Sequence, residues 1–329
     1  MTNLAGKRFS VQEPSELSVI VVNWNTRDLL RDCLNSVYAE TKATSFEILV
    51  VDNASSDGSA EMVKREFPRA GLIENQENVG FARANNQAIR QSSGRFILLL
   101  NSDTVVLSGA LDKMVAFMKQ HPAVSALGPM LLNPDGSLQP SIRTAPVSGY
   151  IRLFLPGEWL ATYPLRFLIW RLGKKETYSN QPRQVGGVSG ACMMITREAV
   201  DKVGLLDEQY FFFWEEVDWF CRLRQSGGVV YFIPDAQIIH HYAKSINQTY
   251  NRSKYLNVNK YRFIHKHHGR MASYLFRIML AVDSFFIICA FFLLLALVGG
   301  DKRREMNWRL RSRWRTLLWA MGSNKSGSN

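Results

Sequence analysis

The chain has 329 residues, 47% apolar and 21% charged, a composition that fits a folded protein and excludes a disordered or fibrous one. Its formal net charge of +12 first points to nucleic acid, but from residue 260 onward there are thirteen Lys or Arg against three acids, Asp283, Asp301 and Glu305. The basic charge therefore travels with the most apolar part of the chain, which points to a membrane surface as partner and away from nucleic acid.

Residues 1–16 are polar and read as a short flexible leader without the apolar core of a signal peptide. Residues 17–22 are an apolar run, a first buried strand, ending at Asn23-Trp24-Asn25. Leu29, Leu30, Leu34 and Val37 give residues 28–38 a helical spacing, with Thr26 as N-cap. A second strand, 47–51, closes in Asp52-Asn53, and Ser56 or Asp57 caps the next helix, which runs to about Phe67 before Pro68. A short strand at 71–74, a helix at 81–91 and a fourth strand at 96–100 follow, the last closing in Asn101-Ser102-Asp103. This alternation predicts an α/β fold: a mostly parallel sheet with helices on both faces.

Residues 111–120 form a further helix, ended by His121-Pro122, and Asn133-Pro134-Asp135-Gly136 is a turn. Residues 139–184 mix Pro, Arg and aromatics, including Trp159, Tyr163, Phe167 and Trp170, without regular spacing. Order resumes with the Gly-rich stretch 186–191 leading into Cys192-Met193-Met194-Ile195, and residues 197–203 are a short helix. Residues 229–233 are a strand stopped by Pro234, and 236–239 another, ending at His240-His241. The chain divides at this level into the leader, halves at 17–130 and 131–259, and a basic tail at 260–329. Four scattered cysteines with no C-x-x-C pair argue for a reducing compartment and against a zinc ribbon.

Three features carry chemistry. Open α/β sheets bind ligands beyond the carboxyl ends of their strands. Two such ends bear acids, which places Asp52 to read a base or ribose and Asp103 to hold a divalent metal, Mg²⁺ or Mn²⁺, on phosphates. The bland reading of each alone is a turn acid. Gly80 opens a helix whose N-terminus suits an anion, and Asn85-Asn86, poor helix formers, suggest a polar role facing a nucleotide. Trp214-Glu215-Glu216-Val217-Asp218-Trp219 sets three carboxylates among aromatics, a setting that raises proton affinity and suits a general base. Arg222 is placed to pair with Asp218, which makes Asp218 the structural acid and leaves Glu216 or Glu215 as the base. Of His240 and His241 one ring must point inward, where imidazole can ligate a divalent metal. Phosphate-loop, dinucleotide, zinc-peptidase and hydrolase motifs are absent from the sequence.

Taken in order, residues 18–25, 51–59, 78–86, 101–103, 187–191 and 215–218 resemble the family 2 glycosyltransferases, and within them the bacterial rhamnosyltransferase-like members. The resemblance covers 17–241 and implies a GT-A-type fold and inverting, single-displacement transfer from a nucleotide-diphosphate sugar, dTDP- or UDP-linked. It implies a nucleotide pocket at Asn23, Asn25, Asp52, Asn53, Asp57, Asn78, Gly80, Asn85 and Ser102. A metal is implied at Asp103, with His240 added from its chemistry. Acceptor contacts are expected at Gly187, Gly190, Ala191 and Trp214, and catalysis at Glu216, Glu215 and Asp218. Two departures stand out: Asn101 replaces the first acid of the metal motif, and Glu216 replaces an Asp.

Residues 284–298 are a nearly unbroken apolar run, short for a span and preceded by Asp283. Beyond it, Leu310, Trp314, Leu317, Leu318 and Met321 share a helical face flanked by arginines. A single crossing would leave this basic tail outside, so a re-entrant or in-plane anchor with both ends cytoplasmic is expected. A bacterial enzyme at the cytoplasmic membrane face, acting on a lipid-linked glycan, follows. The competing reading is a catalytically weak scaffold that binds nucleotide sugar and recruits partners. Nucleotidyl transfer is disfavoured by the lack of a basic triphosphate loop.

Overall fold

The computed structural model describes residues 15–143, 180–241, 252–295 and 300–322. Most of the expected leader, the four aromatics of 159–170 and the end of the apolar run lie outside these residues. The chain forms two compact units: one of residues up to 143, 180–211 and 215–241, the other of 212–214 and the residues from 252 onward.

The first unit is the expected α/β layer structure. Its strands are β1 (Leu17–Asn23), β2 (Phe46–Asp52), β3 (Gly71–Glu74), β4 (Phe96–Asn101), β5 (Thr104–Leu107), β6 (Val124–Leu132), β11 (Cys192–Thr196) and β12 (Val229–His240), with two-residue strands β7 (Leu138–Gln139), β8 (Ile142–Arg143), β9 (Arg183–Gln184) and β10 (Gly187–Val188). The main sheet runs β3-β2-β1-β4-β11-β6-β12-β5. β3, β2, β1 and β4 are mutually parallel, β11 is antiparallel to β4 and β6, and β12 is parallel to β6. The continuous aliphatic runs of β1, β2 and β4 follow from burial on both faces, the usual condition of a parallel sheet. Val19 and Val21 pack on one side with Leu34 of α1 (Arg27–Glu40), Met62 of α2 (Ser59–Glu66) and Met114 of α4 (Ala110–Gln120). Ile20 packs on the other with Ala84 and Ala88 of α3 (Phe81–Gln91), Val200 of α5 (Arg197–Val203) and Phe220 of α6 (Glu215–Gln225). Each fully buried Val, Leu, Ile, Met or Phe side chain among these contributes about 1.5–3 kcal/mol.

Three local expectations are corrected. The two strands expected around Pro234 are one strand, β12. Its pairing with β6 shifts register between Ile233 and Gln237, and this irregularity admits a residue that cannot donate to the ladder. Thr26 sits at the N-cap of α1 but makes no side-chain cap bond. Its hydroxyl donates to Asn23 Oδ1 at 2.6 Å, and Asp57 Oδ2 accepts the Arg27 N–H at 2.8 Å instead. The N-cap of α2 is Gly58, at φ 79°, while Asp57 Oδ1 accepts the Ser59 N–H. β5 was not apparent in the sequence. It turns straight back from Asp103 and pairs antiparallel with β12, setting Thr104 opposite His240.

The second unit is helical. α7 (Arg252–Leu295) bends at Gly269, whose φ of 83° breaks the helix, and α8 (Gly300–Ala320) follows. Asn259 of α7 donates to the carbonyls of Phe212 and Phe213 at 2.9 and 3.0 Å, and Trp214 lies against Phe263 with ring centroids 5.2 Å apart. Phe213 and Trp214 both have positive φ, 70° and 77°, a strained pair directly before Glu215.

Candidate active site

The carboxyl ends of β1 and β2 form a closed polar corner. Asn23 and Asp52 sit opposite one another in register, and the Asn23 amide donates to Asp52 Oδ1 at 3.0 Å and to Ser55 Oγ at 3.1 Å. Asp52 Oδ2 accepts the Ser55 N–H at 2.9 Å. Asn25, at φ 54°, accepts the Ser56 N–H on its side chain at 2.7 Å. Thr26 continues the chain of bonds to Ser102 Oγ, 2.9 Å away, and so ties the β1 end to the turn after β4. Asn53 is buried, its own N–H on the Asn23 carbonyl and its side-chain oxygen accepting from Asn75 at 2.8 Å. Asn23, Asn25, Asp52, Asn53 and Ser102 are therefore brought together as a rigid wall. Asp57 spends both oxygens on helix N-termini, so its visible task is to fix the loop.

The start of α3 differs from expectation. Asn78 Oδ1 accepts the Gly80 N–H at 3.0 Å. Gly80, at φ 85°, is required by a protein contact: a Cβ there would lie 2.6 Å from the Phe211 carbonyl oxygen. That carbonyl also takes the Phe81 N–H at 2.7 Å, so the helix terminus is engaged by the chain itself. Asn85 is buried and donates back to the Phe81 carbonyl at 2.9 Å. Asn86 bridges to the Leu206 carbonyl at 2.8 Å and Glu208 Oε1 at 3.0 Å. Asn86 thus ties α3 to the 206–208 loop, while the Asn85 amide is spent within α3 itself.

Asp103 occupies a second corner, made by β5 folding back on β12. Its Oδ1 lies 3.3 Å from His240 Nε2, with both side chains buried. His240 is thus the inward ring of its pair. Gln139 was missed in the sequence, where nothing marks a lone Gln after a turn. Its amide nitrogen donates to Asn133 Oδ1 at 2.9 Å and to the His240 carbonyl at 3.2 Å, which fixes its orientation. Its oxygen then accepts from His240 Nδ1 at 2.6 Å. With Nδ1 bonded to Gln139, Nε2 is the ring nitrogen turned toward Asp103. Asn101 Nδ2 lies 3.4 Å from that nitrogen. A carboxylate oxygen and an imidazole nitrogen converging from adjacent strands are a donor set that fits a divalent cation completed by phosphate oxygens or water. Among the described residues there is no cluster of three or more His, Cys, Asp or Glu, so the protein supplies two such ligands at most here. Cys33 lies below, its Sγ 3.5 Å from Thr104 Oγ1, and burial pushes the thiol up to about 12, so it stays neutral.

The third group stands at the first turn of α6. Asp218 is fully buried and accepts from Arg222 at 2.8 Å. Arg222 also donates to the carbonyls of Val203 and Leu205, so this pair ties α6 to the α5 loop, the structural role expected for Asp218. Glu215 and Glu216 are buried at 4% and 7% exposure. The 187–191 segment links them to the sheet: Gly187 packs on Phe220, the Ala191 carbonyl accepts the Asn101 N–H at 2.9 Å, and a Cβ on Gly190 would lie 3.6 Å from Glu216 Cβ. Glu216 therefore packs on Gly190, whose neighbour Ala191 is bonded to Asn101, the last residue of β4. Trp214 belongs to the helical unit.

Residues 18–204 match the model of glycosyl transferase family 2. The chain is 28% identical over 247 residues to N-acetylglucosaminyl-diphospho-decaprenol L-rhamnosyltransferase of Mycobacterium tuberculosis, an alignment covering 70% of this chain and 77% of that protein. It is 28% identical over 246 residues to the O-antigen biosynthesis protein RfbC of Myxococcus xanthus, covering 72% of this chain and 18% of that one. Among solved structures, GalNAc-T7 with UDP, GalNAc and Mn²⁺ superposes with a TM-score of 0.52 at 17% identity, covering 77% of this chain and about half (51%) of that chain, a likeness of fold.

Proposed function

Because the chain belongs to glycosyl transferase family 2 and is a glycosyltransferase of glycan biosynthesis, we propose that it transfers a sugar with inversion from a nucleotide-diphosphate donor to a lipid-linked or cell-surface glycan. The observation that supports this reading is the approach of Asp103 to His240 just past β4, whose last residue, Asn101, is bonded to the segment on which Glu216 packs. The donor nucleoside lies against the wall of Asn23, Asn25, Asp52 and Asn53. A divalent cation held by Asp103 and His240 would supply charge stabilisation for the leaving diphosphate. Glu216 takes the proton from the acceptor hydroxyl as that oxygen attacks the anomeric carbon. Placing donor and acceptor in line supplies much of the rate.

The relative that transfers L-rhamnose to a diphospho-decaprenol carrier supports a rhamnose donor, which we take to be dTDP-linked, and a polyprenyl-diphosphate acceptor. One helix long and apolar enough to cross a membrane supports attachment to the membrane, and the basic tail supports the cytoplasmic face. The test is calorimetric titration of purified protein with dTDP, UDP and GDP, each with and without Mg²⁺ or Mn²⁺. Metal-dependent binding of dTDP is expected. Absence of binding to every nucleotide, with lipid acceptor also present, would overturn the nucleotide pocket, for the transferase and for the nucleotide-sugar-binding scaffold alike.

A further inference from the structure

The bend at Gly269 leaves the rest of α7 running alongside α8, and the contacts fix the direction. Arg277 donates to the Ala320 and Trp319 carbonyls, both at 3.1 Å, capping the last turn of α8. Six residues further along α7, Asp283 pairs with Arg313 at 3.3 Å, seven residues back along α8. The two helices are therefore antiparallel. The face of α7 turned to this pairing is buried at Phe276, Leu280, Asp283 and Ile288, and α8 buries Leu317 and Ala320. The face expected to be wholly apolar on α8 is split: Leu317 is buried, whereas Trp314 and Met321 are 51% and 63% exposed.

The opposite face of α7 is an exposed apolar stripe. Met271, Leu275, Ile278, Val282, Phe285 and Phe292 are 75%, 49%, 59%, 48%, 55% and 60% exposed, at helical spacing along about 30 Å. A stripe of this length exceeds what a monomeric surface ordinarily leaves in water. α8 carries seven Lys or Arg against two acids, with Arg303, Arg311 and Arg315 exposed.

We propose that α7 and α8 lie flat on an anionic bilayer as an antiparallel hairpin, the Met271–Phe292 stripe in the acyl boundary and the α8 arginines among the headgroups, without crossing. The proposal rests on the membrane reading above and decides its geometry. α7 taken alone is long and apolar enough to span. Paired with α8, it cannot cross without drawing seven cations through the hydrocarbon, where each is strongly disfavoured. Lying flat satisfies both surfaces at once, because an interfacial helix buries one apolar face while its cations meet anionic lipid.

The test uses the full chain with vesicles of phosphatidylglycerol and phosphatidylethanolamine, against neutral phosphatidylcholine vesicles. Cys289 is exposed on α7, whereas Cys33 and Cys192 are buried, so it accepts an environment-sensitive thiol probe in a Cys221→Ser background. Flotation should be at least tenfold stronger with the anionic vesicles, and the probe should be quenched more by shallow than by deep nitroxide lipids. The double substitution Phe285→Glu with Phe286→Glu, both on exposed positions, should lower flotation at least tenfold at an unchanged thermal midpoint. Quenching greatest at the bilayer centre, with a reporter after Asn329 on the far side of the cell membrane, would overturn the flat hairpin and leave membrane attachment standing. No flotation with any vesicle would overturn both. A double variant that floats normally but shifts from dimer to monomer would assign the stripe to a second copy of the chain.

Discussion

The two acid-bearing corners at the carboxyl edge of the sheet are built on opposite plans. At the β1–β2 corner, Asp52 is saturated by its own neighbourhood, accepting from the Asn23 amide and the Ser55 backbone. At the β5–β12 corner, Asp103 faces a histidine whose other nitrogen is already committed to Gln139. The first plan makes a pre-organised wall, rigid before any ligand arrives. The second brings a carboxylate oxygen and an imidazole nitrogen together, the two ligands proposed above for a cation. The carboxylates of α6 are placed differently from one another, with Asp218 locked to Arg222 and Glu216 packed beside Gly190. Asp52 and Asp218 are held by donors of the chain itself, whereas Asp103 and Glu216 are the acids proposed above for the metal and the proton.

This division is broken most directly at Glu216. Glu216→Gln should lower turnover by about 10²–10⁴-fold while leaving nucleotide affinity intact, since it removes the proton acceptor and keeps the shape. Steady-state kinetics beside calorimetry check both halves, and wild-type turnover in the variant would remove Glu216 as the base. The effect at Gln139 is smaller. Gln139→Leu should weaken Mn²⁺ affinity in the presence of nucleotide by about 10–100-fold, read from the free-ion electron paramagnetic signal. Gln139→Glu, which can still accept from His240 Nδ1, should recover most of that loss. Equal losses in both variants would mean that Gln139 acts only through packing.

Asp57 tests the other side of the comparison. Its carboxylate accepts the first N–H of α1 and of α2, so Asp57→Ala should cost about 1–2 kcal/mol of stability in denaturant titrations, with nucleotide affinity retained. A fall in affinity at unchanged stability would move Asp57 to the binding wall.

The strands that carry the site were legible because burial on both faces writes long aliphatic runs, and acids at their ends stand out against them. The ion pair of Asp218 with Arg222 was legible because i,i+4 spacing is local. What escaped depended on contacts distant in sequence. Gly80 has the same letter whether a ligand or the Phe211 carbonyl approaches it, and only the fold brings residue 211 there. Asn85 carries no mark that its donor returns to its own helix. Gln139 acquires its role from His240, a hundred residues away, through β6, which pairs with both of their strands. Pro234 suggested a break because the sequence cannot show a shift in register absorbing it.

Asp112 gives the smallest effect and isolates the structural plan far from the site. Its carboxylate accepts the backbone N–H groups of Lys42, Ala43 and Thr44 at 2.8, 3.1 and 3.0 Å. Burial works to raise its proton affinity, but these donors outweigh burial and hold the group below its ordinary value of 3.8. A carboxylate depressed in the folded state binds its proton more weakly there than in the unfolded chain. Its contribution is therefore complete above the unfolded value and fades as pH falls through the folded one. Asp112→Ala should lower stability by about 1 kcal/mol at neutral pH, and the gap from wild type should narrow in acid. Denaturant midpoints across pH 2–7 check this (the range brackets the ordinary carboxylate value). A gap constant across that range would mean that the side chain acts by packing, and the link between saturated carboxylates and fold stability would then rest on Asp57 alone.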